Sequence, residues 1–274
     1  MANRKMKIKL SELKEKLRAA GAEYPEAEAK MVLDVLSPSF VSTPFVEADV
    51  DEKKLKDILK GRAEGQPIQY LLGVAWFYNE CYEVSPACLI PRSDTEHLVE
   101  YAIRHLPKNA HFLDMCTGSG CVAISILANR PDCTAVAIDN SPAALEIAKR
   151  NAKRNGVADR ITFLLEDGLS YLPKQPFNGF FSNPPYIEKK VIPTLSREVQ
   201  KEPLSALDGG EDGLNFYRYF CSHLSYYIYK EGICALEIGY DQGEALSALA
   251  RKNNLSLTIA KDFGGCDRLA ILSL

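Results

Sequence analysis

The stretch Leu113–Leu127, LDMCTGSGCVAISIL, decides the fold that we predict for this chain. It begins with strand-like apolar residues, passes through a turn that contains Gly118 and Gly120, and ends in a second apolar run. Because glycine has no Cβ, such a turn can double back tightly, and a ligand can lie directly on its backbone. A strand, a glycine turn and a helix in this order open a βαβ unit of the kind that binds nucleotides.

Strand-like runs alternate with helical stretches from residue 91 onward. The clearest helix covers 141–156, where Ser141 is a candidate N-cap, Pro142 stands at the first helical position and Gly156 follows the end. This alternation predicts an α/β fold, a mostly parallel sheet with helices on both faces and a ligand site at the carboxyl ends of its strands. The last two runs follow each other directly and predict an antiparallel hairpin at one sheet edge. The seven runs are HFLDMC, TAVAID, ITFLLED, GFFSN, CALEIG, LSLTIAKDF and DRLAILSL.

The beginning of the chain predicts a separate small helical module. Ser11 is a candidate N-cap of its first helix, and Pro25 can open the second. A third helix is marked by Leu55 and Ile58. One apolar face of the first helix consists of Leu10, Leu13, Leu17 and Ala20.

Aromatic and β-prone residues then predict a hairpin, with Asn79-Glu80 as its turn. We therefore divide the chain into a helical domain, 1–72, a linking β-hairpin, 73–90, and a main domain, 91–274. A chain of 274 residues is long enough to bury a sizeable core in this arrangement.

Composition limits the classes of function. The formal net charge of -3 and the pI near 5.9 argue against a general nucleic-acid binder, although they leave room for a locally basic groove. The eight cysteines include no C-x-x-C pair and mostly lie in apolar runs, so we expect small buried residues in a reducing compartment and no metal site. No stretch reaches the roughly 18 apolar residues of a membrane span. We expect a cytoplasmic monomer without a membrane segment and without a nucleic-acid substrate.

The glycine turn and the end of the next strand together predict an adenosine cofactor. Gly118, Gly120 and Ala123 match G-x-G-x-x-A, and an acidic residue is expected about 20 residues further on. Asp139 meets that expectation and can accept hydrogen bonds from ribose hydroxyls. The pattern fits NAD, S-adenosylmethionine, or glycines that only shape the turn. Asp114 favours S-adenosylmethionine, because a carboxylate attracts a sulfonium and an ammonium but repels a pyrophosphate; in the alternative interpretation, Asp114 caps the following turn.

The second informative stretch is FSNPPYIE, residues 181–188. Pro184 and Pro185 lack the N–H that a strand ladder needs, so they end the preceding strand in a stiff loop. Asn183 offers a side-chain carbonyl and Pro184 a main-chain carbonyl to the two hydrogens of a planar NH2 group, and Tyr186 can lie against its face. This arrangement suits an amide or an exocyclic base amine, whose weakly nucleophilic nitrogen needs orientation and not a strong base. The alternative is a rigid turn without a chemical role.

Motifs in a fixed order cover nearly the whole chain: GQPIQYLLG (65–73), LIPRSDTEHLVE (89–100), CTGSG (116–120), AIDNSPAALEIAKRNA (137–152), SNPPYI (182–187), EPLSALDGGEDGLNFYR (202–218) and KDFGGCDRLA (261–270). With them the chain resembles the release factor glutamine N5-methyltransferases, the PrmC/HemK family. The resemblance implies the class I S-adenosylmethionine-dependent methyltransferase fold, with a seven-stranded, Rossmann-like sheet. It also implies a linking β-hairpin and a small N-terminal helical bundle that recognises the substrate.

The resemblance implies the reaction as well. The acceptor is the glutamine of the Gly-Gly-Gln loop in peptide chain release factors, methylated on its side-chain amide nitrogen with S-adenosylmethionine as donor. The catalytic and substrate-binding positions are Asn183, Pro184, Pro185 and Tyr186. The donor-binding positions are Asp114, Cys116, Thr117, Gly118, Ser119, Gly120, Asp139, Asn140, Asp167, Gly168 and Asn183.

Two positions depart from the pattern of this family. It usually has glycine where Cys116 stands, and an aromatic residue is common where Gly168 stands. Cysteine is small enough for the turn to survive, whereas Gly168 removes a stacking partner for adenine. For Arg92 and Glu96 we expect contact with the donor, support of the hairpin, or a solvent-facing salt bridge. The acids of 202–213 are interpreted as loop solvation.

Three other functions stay open at this point. A nucleic-acid adenine or guanine amino-methyltransferase would use the same loop, but it needs a basic track that the acidic composition does not indicate. A sister enzyme that methylates a glutamine in a ribosomal protein would share most of these motifs. The third possibility is a module that binds release factors without catalysis. Such a module would not need intact donor-binding and Asn-Pro-Pro-Tyr motifs, and this chain has both.

Overall fold

The computed structural model describes residues 4–37, 47–262 and 264–274. The chain divides into two compact units. The first comprises Met1–Val74 with Ser196–Lys201, and the second comprises Ala75–Leu195 with Glu202–Leu274. None of the described helices has the length and apolar content to cross a membrane.

The first unit contains the three helices that we predicted, a short fourth helix and a strand pair. Leu13 and Leu17 are buried, as the predicted apolar face requires, and Pro25 stands at the start of the second helix. The N-cap prediction for Ser11 was wrong, because the first strand runs directly into the helix, which begins at Leu10. The described elements are β1 (Lys5–Lys9), α1 (Leu10–Ala19), α2 (Pro25–Leu36), β2 (Glu47–Asp51), α3 (Glu52–Ala63) and α4 (Ile68–Leu72).

The strand pair of the first unit was not predicted. In β1, Met6 and Ile8 alternate with lysines, and in β2 alanine and valine alternate with acids. The strands are antiparallel, with Lys5 opposite Asp51 and Lys7 opposite Asp49. Opposite charges across a strand pair stabilise it. Apolar and charged residues therefore alternate in both segments, as in a strand with one buried face, but the two segments lie far apart in the sequence.

The second unit opens with the predicted hairpin, formed by β3 (Val74–Phe77) and β4 (Glu80–Glu83). Its turn is Tyr78-Asn79, one residue earlier than predicted, and Tyr78 has a φ of 56°. Phe77 is buried and contacts Tyr82 edge-on, with ring centroids 6.0 Å apart.

A seven-stranded sheet with flanking helices forms the centre of the second unit, as predicted. The elements are α5 (Glu96–His105), β5 (His111–Met115), α6 (Cys121–Asn129), β6 (Thr134–Asp139), α7 (Pro142–Arg154), β7 (Ile161–Leu165), β8 (Phe177–Ser182), α8 (Asn215–Tyr227), β9 (Ile228–Glu237), α9 (Gly243–Lys252), β10 (Ser256–Lys261) and β11 (Asp267–Ser273).

The strand order in this sheet is β10-β11-β9-β8-β5-β6-β7. Strands β5 to β9 pair in parallel, whereas β11 is antiparallel to β9 and to the edge strand β10. The chain moves outward from β5 first towards β7 and then, in the other direction, towards β9, so a switch point lies beside β5.

Both faces of this sheet are buried. Phe112 and Phe181 belong to the apolar cluster that includes α5 and α6, whereas their neighbours Leu113 and Phe180 belong to the cluster that includes α8 and α9. Burial on both faces explains why the central strands read as continuous apolar runs. It also leaves the carboxyl ends of the strands as the place for a ligand.

Candidate active site

The turn between β5 and α6 is built from backbone in the left-handed region. Cys116, Gly118 and Gly120 have φ angles of 62°, 55° and 84°. A Cβ on Gly120 would lie 2.8 Å from Ile124 Cδ1 and 3.2 Å from Ala148 Cβ, so this glycine permits the close packing of the turn against two helices. A Cβ on Gly118 would meet nothing within 4 Å, which leaves its backbone open to a ligand.

Asp114 is a structural carboxylate beneath this turn. It is 1% exposed and accepts hydrogen bonds from Thr117 Oγ1 at 2.6 Å and from the Ala123 backbone N–H at 3.2 Å. Burial raises the pKa of Asp114 to about 7, although both hydrogen bonds act in the opposite direction. Asp114 therefore caps the turn, as in the alternative interpretation. The geometry gives no support to our argument that its charge selects the cofactor.

Asp139 lies at the end of β6 and faces the same turn. Its Oδ2 accepts from the Gly118 backbone N–H at 2.8 Å, and its Oδ1 accepts from the Ser141 backbone N–H at 2.9 Å. A carboxylate has about four acceptor sites, so each oxygen can accept a second hydrogen bond. Asp139 is therefore held in one orientation and keeps capacity for hydroxyl donors.

A cavity lies at the carboxyl ends of the strands, and its empty space of about 610 Å³ includes open solvent at its mouth. The predicted site residues on its wall are Cys116, Gly118, Asp139, Asn140, Gly168, Asn183 and Pro185. Thr117 and Ser119 line a smaller cleft that also includes Asn183. Asp167 lines another cleft, and its Oδ1 accepts from the Leu169 backbone N–H at 2.9 Å. The predicted residues outside the walls of these three spaces are Asp114, Gly120, Pro184 and Tyr186.

Cys116 and Gly168, the two departures from the family pattern, are neighbours in this cavity. A Cβ built on Gly168 would lie 3.5 Å from Cys116 Sγ and 3.3 Å from Met115 Sδ. Cys116 takes part in this turn with a φ of 62°. An aromatic residue that we did not predict, Phe216 of α8, lines the cavity.

The Asn-Pro-Pro-Tyr loop follows β8 and is anchored at both ends. Asn183 Nδ2 donates to Thr95 Oγ1 at 3.0 Å. The Tyr186 hydroxyl donates to Glu237 Oε1 at 3.4 Å, and burial together with the Glu237 charge raises the pKa of Tyr186. Pro184 is buried between these contacts.

The loop of residues 202–213 holds the Asn-Pro-Pro-Tyr loop from outside. Ile187 N–H donates to the Leu207 carbonyl at 3.0 Å, and Gly209 N–H donates to the Ile187 carbonyl at 2.9 Å. A Cβ on Gly213 would lie only 2.3 Å from the carbonyl oxygen of Tyr186. Gly213 is thus needed for the close approach of two backbones.

Gln242, which we did not predict as a site residue, joins these two loops. Its Nε2 donates to the carbonyls of Tyr186 and Gly213 at 3.0 and 3.2 Å, while its Oε1 accepts from Gly239 N–H at 2.8 Å. All three hydrogen bonds join the Gln242 side chain to backbone atoms, so no local pattern of side chains in the sequence predicts them. Gln242 fixes the position of the Tyr186 backbone relative to the end of β9.

The remaining charged candidates support the surrounding backbone. Glu96 Oε1 accepts from Tyr78 N–H at 2.7 Å and so holds the hairpin turn. Arg92 is paired with Glu202, whose Oε2 accepts from Ile90 N–H at 3.1 Å. The Glu202 side chain is 1% exposed, so this ion pair is not the solvent-facing one that we considered.

Comparisons with known proteins agree on a methyltransferase. The methyltransferase small domain family matches residues 95–210. A release factor glutamine methyltransferase of Moorella thermoacetica is 37% identical over 270 residues, with 94% of this chain and 95% of that protein covered. Its counterpart in Salmonella typhimurium is 35% identical over 257 residues, with coverage of 90% and 92%. The crystal structure of a ribosomal protein L11 methylase from Lactobacillus delbrueckii subsp. bulgaricus shares the fold, with a TM-score of 0.51, 18% identity and coverage of 69% and 83%.

Proposed function

This chain belongs to the release factor glutamine methyltransferase family; it is a protein-glutamine methyltransferase, and we propose that it transfers a methyl group from S-adenosylmethionine to the side-chain amide N5 of the Gly-Gly-Gln glutamine. The observation that carries this proposal is the fixed Asn183, which lies on the wall of the cavity at the end of β8. We further propose that the chain acts in the cytoplasm as a monomer on peptide chain release factors, without a nucleic-acid substrate.

The cavity residues fit S-adenosylmethionine as the methyl donor. The cavity is concave and combines apolar walls with a few polar groups, as small-molecule sites do. Asp139 is oriented by two backbone N–H groups and keeps acceptor capacity for ribose hydroxyls, and Gly118 leaves room above its backbone. Phe216 offers an aromatic surface to adenine that Gly168 lacks. When bound, S-adenosylmethionine supplies an electrophilic methyl group on a sulfonium.

Orientation of the acceptor amide is the task of the Asn-Pro-Pro-Tyr loop. Because Asn183 Nδ2 is engaged by Thr95, its Oδ1 is the atom left to accept one hydrogen of the glutamine NH2 group. The carbonyl of Pro184 accepts the other. Two fixed acceptors restrain the amide nitrogen, so that its electron pair points at the methyl group during transfer. The fixed dipoles of both acceptors stabilise the positive charge that develops on nitrogen. Because the methylated nitrogen is strongly acidic, it would then release one of its two hydrogens as a proton to water, and no strong base is needed.

Rigidity of the loop supports this assignment. Orientation of a weak nucleophile requires acceptors that stay in place to within a fraction of an ångström. Gln242 and the loop of residues 202–213 hold the backbone at the end of the Asn-Pro-Pro-Tyr loop through hydrogen bonds and close contact, and Glu237 accepts a hydrogen bond from the Tyr186 hydroxyl. We propose that the first 72 residues recognise the release factor, because the residues assigned to the donor and to the amide all lie in the second unit.

One assay tests the proposal. Methyl-labelled S-adenosylmethionine is offered in parallel to a release factor, to the same factor with alanine in place of the Gly-Gly-Gln glutamine, to a ribosomal protein substrate and to DNA. We expect label on the unaltered release factor alone, and NAD should not compete with the donor. Equal labelling of the alanine variant, or preferential labelling of the ribosomal protein or DNA, would contradict the assignment.

A further inference from the structure

Residues 196–201 belong to the first unit, although the chain on both sides of them belongs to the second. They form part of the excursion loop, residues 188–207, which leaves the Asn-Pro-Pro-Tyr loop directly after Ile187. The base of this loop is closed, because Ile187 N–H donates to the Leu207 carbonyl at 3.0 Å and Gly209 N–H donates to the Ile187 carbonyl at 2.9 Å. One covalent loop therefore connects the first unit to the backbone of the proposed acceptor site.

Arg62 of α3 holds the excursion loop in the first unit. Its side chain is 1% exposed, and its Nη2 donates to Glu198 Oε1 at 2.8 Å. The same guanidinium donates from Nε and Nη2 to both carboxylate oxygens of Glu28, at 2.7 and 2.9 Å, and from Nη1 to the Gln66 carbonyl at 2.7 Å. A single carboxylate already balances the buried charge of Arg62. The bond to Glu198 is therefore an additional one, and it is directed at the excursion loop.

The first glycine of the motif 65–73 gives the loop a second contact in the same unit. Gly65 has a φ of 78°, and a Cβ there would lie 3.2 Å from Arg197 Nε. The positive φ and the close neighbour both favour glycine at this position. The proposed mechanism does not use this motif, whose first residue makes room for the side chain beside Glu198.

Glu202, four positions after Glu198, holds the excursion loop in the second unit. Its side chain is 1% exposed, its Oε2 accepts from Ile90 N–H at 3.1 Å, and it is paired with Arg92. The loop thus has one acidic anchor in each unit. Four residues reach at most about 14 Å when fully extended, so the chain between the two anchors is short.

We propose that Glu198 is a positioning residue for methyl transfer, because its ion pair with Arg62 ties the first unit to the backbone of the acceptor site. When this pair opens, the peptide bond after Val74 becomes the shortest connection between the units. A unit that is joined at one point rotates more freely than a unit that is joined at two. A short tether raises the effective concentration of a group that one unit presents to a site in the other. This inference rests on the proposed function, because it takes the first unit to bind the release factor.

Glu198→Ala removes the acceptor of the Arg62 bond and tests this role. At saturating release factor, we expect single-turnover methylation to fall about tenfold, because the bound glutamine meets Asn183 less often. The dissociation constants of release factor and of S-adenosylmethionine should change less than about threefold, which separates a loss of rate from a loss of binding. Glu198→Gln keeps an uncharged acceptor and should have an intermediate rate, because a neutral acceptor forms a weaker hydrogen bond. Weaker binding of release factor with an unchanged rate at saturation would overturn the proposal.

Glu188→Ala is the matched control for loss of an acid from the same loop. The Glu188 side chain is 37% exposed and lies 2.7 Å from Lys190 Nζ, compared with 36% and 2.8 Å for Glu198 and its partner. Glu188 and Lys190 both belong to the second unit, so their ion pair does not connect the two units. Loss of turnover in Glu188→Ala equal to that in Glu198→Ala would overturn the proposal, because it would assign the effect to charge alone.

Glu28→Gln separates the tether from the stability of the first unit. Glu28 is 7% exposed and binds Arg62 through both oxygens, whereas the bond from Arg62 to Glu198 remains in this variant. We expect Glu28→Gln to lower the urea midpoint more than Glu198→Ala does and to keep turnover closer to the parent. An equal loss of turnover in Glu28→Gln, in protein that circular dichroism shows to be folded, would overturn the proposal.

Hydrogen exchange followed by mass spectrometry gives a readout that does not depend on activity. The amides of residues 196–201 should exchange faster in Glu198→Ala, because local opening costs less without the anchor. In Glu188→Ala they should exchange as in the parent. Unchanged exchange in Glu198→Ala would overturn the inference. A parent that leaves release factor unlabelled, together with faster exchange in Glu198→Ala, would refute the proposed function and not the anchoring by Glu198.

Discussion

Replacing Gly213 by alanine should misplace the acceptor site without removing any side chain from it. The position has a φ of 72°, and an added Cβ would lie 2.3 Å from the Tyr186 carbonyl oxygen and 2.8 Å from Gln242 Nε2. Gly156 offers a matched control, because it has a φ of 70° but a Cβ there would meet nothing within 4 Å. The two alanine variants share the backbone strain and differ in the collision.

The geometry sets the size of both effects. A residue with a Cβ in the left-handed region costs roughly 1–2 kcal/mol, so Gly156→Ala should lower the free energy of unfolding by that amount. In Gly213→Ala, the Tyr186 carbonyl must also move by about 1 Å to restore ordinary contact, and a shift of this size at a reacting centre costs about 100-fold in rate. The same shift breaks the bonds from Gln242, each worth about 1 kcal/mol.

Urea denaturation and single-turnover methylation of release factor measure the two quantities on the same preparations. We expect Gly156→Ala to be less stable with near-parental turnover, and Gly213→Ala to be less stable still with turnover reduced about 100-fold. Calorimetric affinity for S-adenosylmethionine should be similar in both. Equal turnover in the two variants would refute the reasoning that close approach at Gly213 positions the Asn-Pro-Pro-Tyr loop.

Four further variants test the acceptor site, the donor site and the buried carboxyl of Glu237. Asn183→Ala should slow single-turnover methylation by about 10²–10³-fold with little loss of donor affinity, and Asn183→Asp should bind donor at least as well and remain slow; near-parental turnover of Asn183→Ala would mean that the loop is only a turn. Asp139→Ala should weaken donor binding by about 1.5–3 kcal/mol in calorimetry, and unchanged affinity would contradict its assignment to the ribose. Burial raises the pKa of Glu237 from 4.5 to about 7. Protonated Glu237 therefore makes its full contribution to the free energy of unfolding below pH 4.5, and this contribution is lost as the pH rises through 7. Glu237→Gln should therefore gain up to about 3 kcal/mol over the parent in urea denaturation between pH 5 and pH 8, at about 1.4 kcal/mol per pKa unit, and a constant difference would contradict the shifted pKa.

Local patterns in the sequence predicted most of the fold. The five central strands read as continuous apolar runs, and helix α7 has end signals close to its first residue, such as the Ser141 side chain, which accepts from Ala144 N–H at 3.2 Å. The pair β1 and β2 was missed because each strand has only five residues and the partner is distant in the sequence. Local alternation over so few residues is a weak signal.

The candidate site was predictable in its residue types but not in the direction of its side chains. Asn183 and Asp139 lie on the cavity wall, whereas Asp114 points into the turn, because Thr117 and Ala123 offer donors there. Gln242 contacts Tyr186 across 56 residues of sequence through a backbone carbonyl. A backbone acceptor is the same at every residue, so the sequence contains no mark of this contact.

The contact between positions 116 and 168 has a consequence for substitution at either position. A Cβ at 168 would lie 3.3 Å from Met115 Sδ and 3.5 Å from Cys116 Sγ, so the side chain at 116 limits the space for a larger side chain at 168. Cysteine at 116 is also held in left-handed backbone, which costs a residue with a Cβ roughly 1–2 kcal/mol relative to glycine. An aromatic ring placed at 168 alone would therefore require Met115 and Cys116 to shift, whereas glycine at 116 would both relieve the backbone strain and make room for the ring.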